Sequence, residues 1–215
     1  MRAFFIKYIV QNTLIGFTIL QSISASAGGE SQLQFSQENF VGNRSNNYQH
    51  IIGAKISEKL WFSSFAYLDS DYSTKENLYN IRNTISYDLV KSWSSILAFG
   101  FKNPGLYTTG SLQLGKKYNA FSYLLQTGAT YQKSWTSESF ATALYAPKIT
   151  NNLTAFFKAT LSLNMNSKGI TRALQQFRAG IKNKQLVYGW ASNFDQFNYN
   201  KKTLTNHGLF LRINY

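Results

Sequence analysis

His50 and His207 are the two candidate general bases of this 215-residue chain. Nucleophilic hydrolysis sets such an imidazole beside a serine or a carboxylate. The aspartates are Asp69, Asp71, Asp88 and Asp195. A rim that brought Asp69 and Asp71 to His207 would assemble an acid–base group, which keeps a hydrolase open as an alternative. No carboxylate cluster or histidine pair has ligand spacing, so no metal is expected, and nothing points to a cofactor. With no cysteine there is also no thiol ligand, disulfide or lipid-modified cysteine. A second constellation does different chemistry. Arg82, Lys158, Arg178 and Arg212 sit inside alternating segments with Asp88 and Asp195, a net of +2. Lining a narrow passage, they would guide anions. Paired with the aspartates and with tyrosine hydroxyls, they would instead brace a wall.

The elements that must hold these residues alternate with a period of two, as strands do. Tyr79, Ile81, Ile85, Tyr87 and Leu89 share one face, with Asn80, Arg82, Thr84, Ser86 and Asp88 on the other. Leu153, Ala155, Phe157, Ala159, Leu161, Leu163 and Met165 alternate with Thr154, Phe156, Lys158, Thr160, Ser162 and Asn164. Segments of this kind begin near Leu33, Tyr48, Leu60, Tyr79, Trp93, Thr108, Phe121, Phe140, Leu153, Ala173, Leu186 and Leu209. The pattern predicts twelve strands; ten or fourteen also fit, because the third and eighth segments alternate poorly. Polar stretches at 43–47, 71–77, 103–105, 132–139, 166–171 and 198–206 read as long loops after odd strands. Tight turns follow even ones.

The last segment, Gly208-Leu209-Phe210-Leu211-Arg212-Ile213-Asn214-Tyr215, places Leu209, Leu211, Ile213 and Tyr215 on one face and ends on an aromatic residue. It resembles the C-terminal strand of Gram-negative outer-membrane β-barrels. That resemblance implies an all-β, antiparallel, up-and-down transmembrane barrel. In it, Gly208, Leu211, Ile213 and Tyr215 carry the signal read by the barrel-assembly machinery. The final strand would then close against the one near Leu33 and Phe35.

The rest of the chain agrees. Arg2 and Lys7, an apolar run through Leu20 and an Ala-x-Ala site at Ala25 and Ala27 read as a signal peptide of residues 1–27. Residues 28–215 then form one barrel domain. Aromatics reach 16% and charged residues only 14%, against about a quarter in ordinary domains. Mean hydropathy is −0.26, so the mature chain has no membrane helix, whereas barrel strands show lipid one face and water the other. A soluble sandwich or lipocalin-like barrel is the competing class.

The formal charge is +13, or +11 once Arg2 and Lys7 leave. Lys59, Lys91, Lys116, Lys117, Lys148 and Lys184 fall in expected periplasmic turns. Arg44, Lys75, Lys133, Lys168, Lys201 and Lys202 fall in expected outer loops, beside outer-membrane lipid and lipopolysaccharide phosphates. Charge confined to strand ends argues against nucleic acid. The functional expectation is a passive outer-membrane porin for small, anionic, hydrophilic solutes, with both termini periplasmic. Size and strand number resemble small porins for acidic oligosaccharides. Phe156, Leu124 or a folded-in loop could plug the passage. The alternatives are a barrel-embedded lipid or peptide hydrolase, and a non-transporting partner in envelope assembly or surface-polymer export.

Overall fold

Twelve alternating segments become twelve strands: β1 (Leu33–Gly42), β2 (Ser45–Lys55), β3 (Leu60–Asp71), β4 (Leu78–Val90), β5 (Trp93–Lys102), β6 (Gly105–Tyr118), β7 (Phe121–Gln132), β8 (Ser134–Tyr145), β9 (Leu153–Asn166), β10 (Gly169–Asn183), β11 (Leu186–Phe197) and β12 (Lys202–Asn214). The computed structural model describes residues 33–73, 77–103, 105–197 and 202–215. The expected leader, with Ala25 and Ala27, lies outside them. Each strand pairs with its neighbours in sequence, and β1 pairs with β12, so the sheet is a closed antiparallel barrel.

Closure runs from Ser36↔Asn214 to Gly42↔Gly208. One residue further, Phe35 and Tyr215 exchange backbone hydrogen bonds of 3.2 and 2.8 Å. The terminal aromatic residue is therefore paired to its last amide. Its ring lies 6.0 Å from that of Phe35. In hydrocarbon an unpaired amide costs several kcal/mol, so no edge may stay open.

The outward face is apolar. Ile85, Leu97, Phe99, Leu112, Leu125, Leu161 and Leu211 are all exposed there. Aromatic pairs crown both ends of this band. Tyr79 stacks on Phe101 and Tyr131 tilts against Trp135 at the rim opposite the termini. Tyr118 meets Tyr123, and Tyr145 meets Phe157, at the terminal rim. An exposed apolar band between two aromatic girdles is the surface of a membrane-spanning barrel.

The connections differ from expectation. Ser45, Asn46 and Asn47 belong to β2, and β8 begins at Ser134 rather than Phe140. β6 begins at Gly105, β10 at Gly169 and β12 at Lys202. Polar side chains in these stretches, such as Asn47 and Glu138, point into the lumen. A polar run is therefore no sign of a loop here. Both rims carry tight turns, and Ser92, Asn119, Lys133 and Lys184 take left-handed φ angles of 72°, 44°, 65° and 53° in them. The seven-residue connection 146–152 even lies on the terminal rim, so connection length does not orient the barrel.

Gly208 is where the seam tolerates least. A β-carbon there would collide with the Val41 carbonyl and the Gly42 backbone, whereas one on Gly53 meets nothing nearer than 3.9 Å. Gly208→Val is expected to cost about 1–3 kcal/mol of overpacking. It should lower the fraction migrating as the compact, heat-modifiable form on unboiled gels, with Gly53→Ala unchanged. Equal folded fractions would show that the seam does not depend on this close approach.

Candidate functional site: the lumen

Register fixes which side chains face inward. On β4 they are Asn80, Arg82, Thr84, Ser86 and Asp88; on β9, Phe156, Lys158, Thr160, Ser162 and Asn164; on β12, Asn206, Phe210 and Arg212. Of these, the β4 residues from Asn80 to Ser86, the β9 residues from Lys158 to Asn164, and Arg212 line a lumenal cavity of about 370 Å³ with inward residues of other strands. Gln113 borders both this cavity and a recess at the terminal rim lined by Lys59, Asp88 and Lys91.

Glu38 is the hub of the lumen. Its Oε1 accepts from Arg178 Nε and Gln49 Nε2, each at 2.8 Å, and its Oε2 accepts from Arg212 Nε at 2.9 Å and from Arg212 Nη2. Arg212 lies directly across the seam from Glu38. Arg178 reaches it from β10, past two intervening strands. The guanidinium groups rest on aromatic faces, Arg178 at 5.0 Å from the Phe40 ring and Arg212 at 5.3 Å from that of Phe156. Phe40, Phe156, Phe210, Val187 and Ala191 form a small apolar core inside the barrel, with Leu144 against it. Phe156 thus fills one side of the lumen, and Leu124 lines the cavity that remains.

From the hub a polar network crosses the seam. Arg178 Nη1 donates to Asn193 Oδ1 at 2.8 Å, and Asn193 Nδ2 donates to Asn47 Oδ1. Asn206 Nδ2 donates to Ser45 Oγ at 2.9 Å, while its Oδ1 accepts from the Arg44 amide at 2.9 Å. Strands β1, β2, β10, β11 and β12 are thereby tied together from within.

Three more arginines are held by carboxylates nearer the opposite rim. Arg172 grips Asp195 bidentately, Nε to Oδ1 at 2.9 Å and Nη2 to Oδ2 at 2.7 Å. Arg82 Nη1 on β4 reaches Glu138 Oε1 on β8, a chord across the lumen. Thr130 Oγ1 holds the other carboxylate oxygen of Glu138 at 3.0 Å. Arg44 does not turn outward to meet lipid phosphate. Asp71 Oδ2, at 2.8 Å, and Asp69 Oδ2 hold its guanidinium instead. Lys75 and Lys201 lie outside the described residues.

Sequence alone placed Arg82, Lys158, Arg178 and Arg212 on polar faces, together with Asp88 and Asp195. The structure brings Arg178, Arg212 and Lys158 around Glu38, gives Asp195 to Arg172, and leaves Asp88 at the terminal rim accepting from Ser94 Oγ at 2.7 Å. Glu38, Glu138 and Arg172 are the residues sequence reasoning missed. Glu138 and Arg172 stand in or beside stretches that read as loops.

The rim constellation proposed for His207 does not form. Asp69 and Asp71 face inward with Arg44, while His207 faces outward with Ser192. Ser192 Oγ lies 2.6 Å from His207 Nδ1, and the Trp190 ring stacks 6.0 Å from the imidazole. Ser192 is 1% exposed, so its hydroxyl is closed to a substrate carbonyl in this arrangement.

The charged groups around the cavity set its polarity. Arg82, Lys102, Lys158, Arg172 and Arg212 oppose Glu38 and Glu138, an excess of three positive charges. Adding Arg178 and Asp195 leaves that excess unchanged. Among the described residues Lys158 has no carboxylate within ion-pair distance, and Lys102 sits over the Tyr107 ring at 4.5 Å.

No protein-family model and no curated protein matches the sequence. Among solved structures the chain is similar to the NanC porin, with TM-score 0.56 and 10% identity over 85% of this chain and 98% of that one. It is also similar to an outer-membrane channel from Pseudomonas putida F1 (TM-score 0.44, 8% identity, 88% and 97% covered). A third likeness is a structure described as a bacterial polysaccharide outer membrane secretin (0.40, 8%, 86% and 97%). At 10% identity the porin likeness speaks to the fold alone. It is the fold of a porin.

Removing one partner of a buried ion pair strands the other charges. Glu38→Gln, which leaves Arg178 and Arg212 uncompensated, should therefore cost about 3–5 kcal/mol. It should lower the urea midpoint of the folded barrel, whereas Asp88→Asn at the rim should leave it nearly unchanged. Equal midpoints would remove Glu38 from its place as the hub.

Proposed function

We propose that the protein is a passive outer-membrane channel for small, water-soluble anions. The observation that carries this reading is the excess of positive charge around the lumenal cavity, with the Lys158 ammonium, among the described residues, outside ion-pair distance of any carboxylate. A low-dielectric wall focuses the field of such charges along the axis. Coulomb attraction draws anions in and repels cations, while the ion pairs keep the remaining arginines fixed to the wall.

The porin fold and the girdled apolar band support an outer-membrane location. With an even number of strands both termini share one rim, which the proposal sets in the periplasm. The proposal also includes removal of residues 1–27 during export. The assembly machinery would read the paired strand carrying Gly208, Leu211, Ile213 and Tyr215. Lys133 and Lys168, in turns of the opposite rim, would then face lipopolysaccharide phosphates.

Planar-bilayer recording in a potassium chloride gradient tests the reading. The expected outcome is stable single-channel steps whose reversal potential favours chloride. Lys158→Glu should shift that potential toward potassium and lower the anion-to-cation permeability ratio several-fold. A folded, heat-modifiable protein that never conducts would overturn the proposal, and so would cation selectivity in the unmodified chain.

A further inference from the structure

The same cavity carries an apolar lining that a path for fully hydrated ions does not call for. Ile51 pairs with Phe65 across β2 and β3, and Phe65 pairs with Arg82 across β3 and β4. All three side chains face inward, and Ile51 is 44% exposed to the lumen rather than packed. Phe140 and Leu174 belong to the opposite wall, each paired with Ser162 of β9. In a ring of twelve strands β3 and β9 stand diametrically opposed. Two apolar patches therefore face each other across one cavity, with Arg82 beside the first and Lys158 on the strand between Phe140 and Leu174.

This lining is distinct from the small interior core. Phe40, Phe156 and Phe210 are buried against one another, whereas Ile51, Phe65, Phe140 and Leu174 keep open surface toward the cavity. Water gains nothing from such a wall, and a small hydrated anion passing it forgoes hydrogen bonds that serines or asparagines would have offered. A solute with a flat hydrocarbon body buries that body here and leaves its charge to the cations.

We infer that the lumen selects anions bearing a compact apolar face, of the class of aromatic monocarboxylates, over equally charged anions without one. The carboxylate lies toward Lys158 and Arg82, and the ring slides between the Ile51–Phe65 and Phe140–Leu174 patches. This inference rests on the channel reading above and narrows its solute class.

Bi-ionic recordings with potassium benzoate on one side and potassium acetate on the other, at neutral pH, provide the test. Benzoate, though larger, should permeate at least as readily as acetate. Replacing both Ile51→Ser and Phe65→Ser should lower the benzoate-to-acetate ratio several-fold while chloride-over-potassium selectivity persists. Phe140→Ser on the far wall should lower it in the same direction, and serves if the double variant does not fold. A ratio well below one in the unmodified chain, or one indifferent to these substitutions, overturns the inference and leaves an anion channel standing. Absence of any conductance would instead overturn the channel reading itself.

Discussion

Everything in this molecule follows from the ban on unpaired backbone amides in hydrocarbon. A sheet placed there must close, and closure joins the first strand to the last. The chain meets the demand at its seam, where Tyr215 and Phe35 exchange backbone hydrogen bonds. Alternation then has no freedom left. Once Leu209 and Leu211 face lipid, Phe210 and Arg212 must face the lumen, and the same division propagates strand by strand around the ring.

The lumen has to reconcile solidity with wetness. A twelve-stranded barrel is too wide to be filled by side chains alone. The chain solves this unevenly. On the side of the seam, a small aromatic core and the Glu38 hub fill the interior and fasten β1, β10 and β12 together. On the other side the cavity stays open, bordered by Thr84, Ser86, Gln113 and Gln126. Bracing and guidance are therefore not rival roles for the arginines. Two guanidinium groups share one carboxylate at the hub, so the clasp that secures the seam also leaves positive charge beside the passage.

Much of this was legible in the sequence. Strand number, the inward faces of β4, β5, β7, β9 and β12, and the apolar exterior all follow from period-two alternation. Connections were not legible for one physical reason: a wet lumen asks for the same residue types as a loop. Ser45, Asn47, Ser134 and Thr136 read as loop residues by composition, yet each belongs to a strand. The pairings lay further out of reach. Glu38 meets Arg178 and Arg82 meets Glu138 across the interior, between strands that no local pattern connects, and the partners of a chord depend on the register of every strand between them. His207 shows the converse error. Its place near a rim suggested an acid partner, but the parity of β12 turns it outward to Ser192, away from Asp69 and Asp71.

One face of each strand meets water in a lumen and the other meets lipid. The natural chain has no cysteine, so single cysteines placed at adjacent positions can be read without background. In proteoliposomes, Gln126→Cys and Thr160→Cys should react with a small membrane-impermeant maleimide. Their neighbours Leu125→Cys and Leu161→Cys should stay unlabelled by it and react only with a lipid-soluble reagent. Aqueous labelling of the leucine positions, or protection of Gln126 and Thr160 in a folded barrel, would contradict the account.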